Sequence, residues 1–131
     1  MAEFQVQSAL YTALSGIGLT VYDVQPQATD GGAAGNFPSV NIGTIVFADW
    51  DVKEKTGFDF VARIHTFSRT GSMREAKLIQ GQMYDRLHLG EINIAGYSLV
   101  SLRRESSDVV RETGKTFHGI CEYRGLIEKA A

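Results

Sequence analysis

The chain has 131 residues, 44% of them apolar and 21% charged, with a formal net charge of −2. These are ordinary globular values, and a chain of this size buries roughly two-thirds of its unfolded surface without staples, so one domain over residues 1–131 is expected. The near-neutral balance excludes bulk attraction to nucleic acid or membrane, and no apolar run approaches the ~18 residues that span a bilayer.

The charge is unevenly placed. Residues 1–60 hold seven acids and two bases, a sum of −5, and residues 61–131 hold eight acids and eleven bases, a sum of +3. Such a split arises either by chance or in a protomer with unlike faces, suited to head-to-tail association. Cys121 is the only cysteine, which excludes an internal disulfide, and inside a strand it reads as a small buried hydrophobe. The chain opens without a basic-then-apolar leader, so a soluble protein made in the cytoplasm is expected.

In chain order, Val6, Leu10, Ala13, Leu14 and Ile17 share one stripe of a helix over about 3–15, with Phe4 and Tyr11 on its flank. Gly16 and Gly18 end it, and Leu19 to Val24 reads as a short strand. Residues 25–36 are polar and rich in small residues, too poor in apolar groups to offset their ordering entropy, and read as a mobile loop. A strand from about Ser39 to Phe47 follows, with Val40, Ile42, Thr44 and Val46 on one side. Residues 48–57 form a charged connection, and Phe58, Phe60, Ala62, Ile64 and Thr66 then alternate as a half-buried strand. The two strands fit a hairpin with a long tip.

Ser72 and Glu75 have capping-box spacing ahead of a second helix, whose core stripe is Ala76, Ile79, Met83 and Leu87. Gly81 costs about 1 kcal/mol relative to alanine there, from either a packing need or tolerance. Leu78 projects from the opposite face, near Arg74, Gln82 and Asp85, and His88-Leu89-Gly90 ends the helix. Strands are expected at about 97–104 and 115–125, the latter within an alternating run from Thr113 to Glu128. Ser106 to Gly114, which carries Arg111 and Glu112, reads as a polar connection. The order is α+β: a mostly antiparallel sheet with two helices packed on one face.

No motif for catalysis, cofactor or metal emerges. His65, His88 and His118 form no H-x-H or H-x-x-x-H pair and have no cysteine at zinc spacing. His65 and His118 could face each other across strands, which would allow a metal or proton role; a solvent-facing or satisfied strand histidine is the simpler reading. Cys121 and His118 cannot pair as nucleophile and base, because residues three apart on a strand point to opposite faces. The Gly31–Gly35 stretch lacks the lysine and following helix of a phosphate loop. Gly71-Ser72 offers only the amides of any helix start. Asp49, Asp51, Glu54 and Asp59 interleave with Lys53 and Lys55 as a solvated tip without calcium-loop spacing. Trp50 in that tip is either folded back over the core or held out as an interface anchor. Arg63, Arg69, Arg74, Arg103, Arg104 and Arg111 are spread over several elements without the aromatic platform of a single-strand binder.

Several segments then match one family in order and spacing. These are Leu10-Tyr11-Thr12-Ala13-Leu14, Val21-Tyr22-Asp23 before a polar loop, and Phe37-Pro38-Ser39-Val40-Asn41-Ile42-Gly43. Further along come Ile64-His65-Thr66-Phe67-Ser68 with Gly71 and Glu75-Ala76, then Leu87 to Leu89, Leu99 to Arg103, and Thr116-Phe117-His118-Gly119. Over nearly its whole length the chain resembles the tail-completion (tail-terminator) proteins of long-tailed phages and gene transfer agents. It departs mainly at the small-residue loop 28–35. The resemblance implies a structural protein, not an enzyme, with no cofactor or catalytic residues. It implies a homohexameric ring on the head-proximal end of the tail tube. That ring would stop tube polymerisation, contact the tail tube protein and a neck or head-tail connector protein, and pass DNA through its lumen without specific binding. It would be made in the bacterial cytoplasm and assembled into the particle, away from membranes. Candidate contact residues are Asp49, Trp50, Asp51, Lys53 and Lys55 in the tip, Arg74, Leu78 and Gln82 on the second helix, and Arg103, Arg104 and Arg111. Other readings are a connector subunit, a small enzyme with an unrecognised site, or an adaptor that binds a peptide along an open sheet edge.

Overall fold

The computed structural model describes residues 2–22, 37–51, 53–112 and 114–130. The element order is α1 (Ala2–Gly16), β1 (Val21–Tyr22), β2 (Ser39–Asp49), β3 (Gly57–Ser68), α2 (Arg74–Leu87), β4 (Tyr97–Arg111) and β5 (Phe117–Lys129). The strands form one sheet in the order β1-β2-β3-β5-β4. β1 runs parallel to β2, and every other neighbour is antiparallel. The architecture is the α+β arrangement expected. The small-residue loop 25–36 lies outside the described residues.

Both helices cover the same face of the sheet, as their periodicity requires. From α1, Val6, Leu10, Ala13 and Leu14 are buried; from α2, Ala76, Ile79, Met83 and Leu87. They meet Phe60, Ala62, Ile64, Leu102, Cys121, Tyr123 and Ile127 in one core. Each large apolar side chain fully buried there contributes roughly 1.5–3 kcal/mol. Ile17 sits just past the end of α1 and is exposed. Gly81 faces open space, so it answers no packing need.

Three local expectations are corrected. First, a bulge between Ile42 and Ile45 shifts the register of β2. Val40 and Ile42 point into the core as expected, but beyond the bulge Ile45 and Phe47 take the inward positions. Thr44 is exposed and Val46 is 60% exposed. One extra residue in a strand exchanges its faces. Second, no capping box forms. Met73 occupies the cap position without a side-chain hydrogen bond. Glu75 instead accepts a 2.7 Å hydrogen bond from the buried Ser68 hydroxyl at the end of β3. Third, the 106–111 segment is strand, not connection: β4 continues to Arg111 opposite Phe117. Its polar sequence reflects exposure at a sheet edge.

The face away from the helices is polar and cross-linked by charge. Arg63 bonds Glu122 at 3.1 Å. Arg124 donates to Asp59 at 2.9 Å, and Glu105 stands 3.8 Å from the same guanidinium. Ser106 also donates to Glu122.

Candidate functional site

The tip between β2 and β3 is an exposed charged projection with a closed base. The Trp50 N–H donates to the Gly57 carbonyl at 2.9 Å, and half-buried Trp50 lies against Gly57, where any side chain would overlap the Trp50 carbonyl and crowd the indole. Asp51 accepts from the Gly57 N–H at 3.4 Å. Lys55 pairs with Glu128 at 3.3 Å, and Lys129 N–H donates to the Thr56 carbonyl at 2.8 Å. The tip is thereby tied to the end of β5. Asp49 and Lys53 remain exposed beside it.

On α2, the expected outward face is present. Leu78 is 58% exposed, with Arg74 and Gln82 exposed around it. It borders a groove whose other wall includes Leu19, Thr20 and Pro38. This patch is separate from the tip.

The three arginines of β4 do not form one surface. Arg103 is exposed opposite Arg124 on the polar face. Arg104 turns to the helix side, where its guanidinium lies 4.4 Å from the Tyr84 ring centre. Tyr84 in turn stacks on His88. Arg111 also turns to the helix side, 5.5 Å from the Phe117 ring centre. A strand alternates sides at each residue, and the bulge between Arg104 and Ser106 resets the alternation.

Beneath Arg104 lie Cys121 and Tyr123, both fully buried. Burial pushes the Cys121 thiol up to about 11, with the Arg104 charge opposing the shift, so the thiol is un-ionised at neutral pH. Burial pushes the Tyr123 phenol up as well.

The histidine pairing raised by the sequence is present. His65 Nδ1 and His118 Nε2 are 2.7 Å apart across β3 and β5, and His118 Nδ1 lies 3.1 Å from Glu112. The His118 ring stacks on buried Phe67 at 4.4 Å. Gly43 makes room for the His65 ring. Burial lowers the His65 pKa, helped by His118 and then Arg63, with Glu112 opposing. Phe67 and Glu112 as partners were missed. Phe67 is invisible to period-two reasoning because it is buried on the face that is otherwise polar. Among the described residues, no three His, Cys, Asp or Glu side chains are placed to hold a metal.

The family model described as Tail completion protein gp17 matches residues 5–128. No curated protein matches the chain. Among solved structures, a chain of "Virion of native gene transfer agent (GTA) particle" has a TM-score of 0.79 at 21% identity, over 97% of this chain and 97% of that chain. At that identity the likeness is one of fold.

Proposed function

The chain belongs to the Tail completion protein gp17 family, and on that premise we propose that it is a structural subunit of a phage-like tail which closes as a ring on the head-proximal end of the tail tube. The observation that carries this reading is the family match across almost the whole chain. The fold likeness to a chain of a gene transfer agent virion agrees with it. The ring stops tube growth by occupying the growing face, and it offers a different face to a neck or head-tail connector protein. Residues 1–131 act as one domain, without catalysis.

A closed ring needs two unlike, mutually complementary sides on each subunit. The charged tip at Asp49–Lys55 and the Leu78 patch lie on different elements and serve as contacts with unlike neighbours. On the polar sheet face Arg63 pairs with Glu122, and Arg124 with Asp59 and Glu105, across strands, and Arg103 stands exposed beside Arg124. Among the described residues this face offers passing DNA no row of unpaired cations, which suits a lumen that conducts without holding. The test is to assemble tubes from tube protein with and without the purified chain and to image them by electron microscopy. Rings at one end and shorter, uniform tubes are expected; unchanged tube lengths overturn the proposal.

A further inference from the structure

We propose that subunits join by continuing the sheet from one copy to the next, with the outer edge of β4 at Ser107–Arg111 pairing antiparallel with the outer edge of β2 at Ile45–Asp49 of a second copy. This rests on the ring reading above and supplies its interface.

Two stretches of open edge carry the argument. β1 pairs with Val40 and Asn41, and among the described residues no strand flanks β2 from Ile45 to Asp49. Trp50 bonds inward to Gly57. Alternation along an antiparallel strand therefore turns the N–H and C=O groups of Ile45, Phe47 and Asp49 outward. Ile45-Val46-Phe47-Ala48 has neither charge nor proline, the kind of bare edge that proteins ordinarily blunt or cover.

On the opposite side, the middle of β4 is already occupied. Leu89 N–H donates to the Leu102 carbonyl at 2.7 Å, and Arg104 N–H donates to His88 Nδ1 at 3.0 Å. The turn after α2 thus caps the edge there. Past the bulge, Glu112 N–H points inward to the Thr116 carbonyl, so Ser107, Val109 and Arg111 present their backbone groups outward; the Val109 N–H is capped by its neighbour's carboxylate, donating to Asp108 Oδ1 at 2.8 Å on the exposed side, a local bond that an incoming strand exchanges for its own carbonyl. Each edge offers three outward residues over a five-residue stretch.

Direction and facing agree. β2, β3, β5 and β4 alternate in sense, so β2 of the next copy, carried round without inversion, meets β4 antiparallel. Setting Phe47 opposite Val109 places Ile45 against Arg111 and Asp49 against Ser107, all on the helix side. On the polar side it places Val46 opposite Val110. These two valines are 60% and 44% exposed in the single subunit and would cover each other. No like charges come opposite one another in this register.

Closure is geometrically ordinary. The rows of Phe47 and Val109 cross β5 at Gly125 and Gly119, six residues apart. At ~3.3 Å per residue and ~4.8 Å per strand, that offset over four strands tilts them about 45° to the ring axis, at the upper end of the usual barrel range. The bulky helices then lie outside and the charge-paired face lines the lumen.

The test is oxidative cross-linking of Val46→Cys/Val110→Cys on assembled tubes, with each single variant alongside. Directly opposite residues of this kind stand within disulfide reach, and both positions are exposed, so the monomer tolerates the changes. The double variant is expected to give a ladder of covalent oligomers ending at the ring, and each single variant monomers only. Rings visible on tubes with no ladder, or cross-links in a single variant, overturn the edge pairing alone. Absence of rings together with unchanged tube length removes the ring reading and this interface with it.

Discussion

His65 and His118 share a 2.7 Å nitrogen-to-nitrogen contact between the two central strands, with Glu112 behind His118. At this distance one nitrogen donates and the other accepts, so at least one ring is neutral. In the neutral pair, Glu112 accepts from His118 Nδ1–H, and His118 Nε2 accepts from His65 Nδ1–H.

Acid is therefore expected to weaken the fold. The folded-state pKa of His65 is lowered, so the unfolded chain binds the proton more readily. The contribution is complete above the unfolded value of about 6.5 and is lost as pH falls below it toward the folded value. Thermal unfolding followed at pH 7.5 and 5.0 should show a lower midpoint in acid. His65→Gln should flatten that difference, and an identical pH slope in the variant would rule out this account.

Gly125→Ala should be strongly destabilising. A side chain at position 125 would overlap the ring of fully buried Phe60. Overpacking of this kind costs about 1–3 kcal/mol. Urea titration should show the loss, and Phe60→Leu in the same chain should recover part of it.

The start of α2 separates two serines of similar appearance. Ser68→Ala removes the donor to Glu75 from a buried site and should cost about 1–3 kcal/mol. Ser72→Ala touches only an exposed 3.4 Å contact to the Arg74 N–H and should stay within about 0.5 kcal/mol. Equal losses would restore the capping-box explanation.

Leu78→Asp should leave stability within about 0.5 kcal/mol, since the side chain is 58% exposed. If the Leu78 patch meets a neighbour, the same variant should lengthen tubes assembled in its presence. Denaturation and tube-length distributions measured on one preparation separate the two effects.

Some of this was readable from local pattern. The stripe Ala76, Ile79, Met83, Leu87 and the alternation Phe60, Ala62, Ile64, Thr66 each declare which side must leave water, because helix and strand periods act over a few residues. From these the helix and strand types, their chain order and the α+β class follow. Candidate contact residues were harder. Arg103, Arg104 and Arg111 look like one basic set in the sequence, but strand alternation and a bulge divide them between two faces.

Tertiary pairing decided the rest. It set β5 between β3 and β4, brought His65 to His118 from 53 residues away, and turned Val46 outward where the plain alternation put it inward. It also left two stretches of backbone without strand neighbours among the described residues. Register between strands depends on partners distant along the chain, and one inserted residue exchanges the faces of a strand. Local periodicity therefore determines what each segment buries, and only the assembled sheet determines what each edge and face has left to offer.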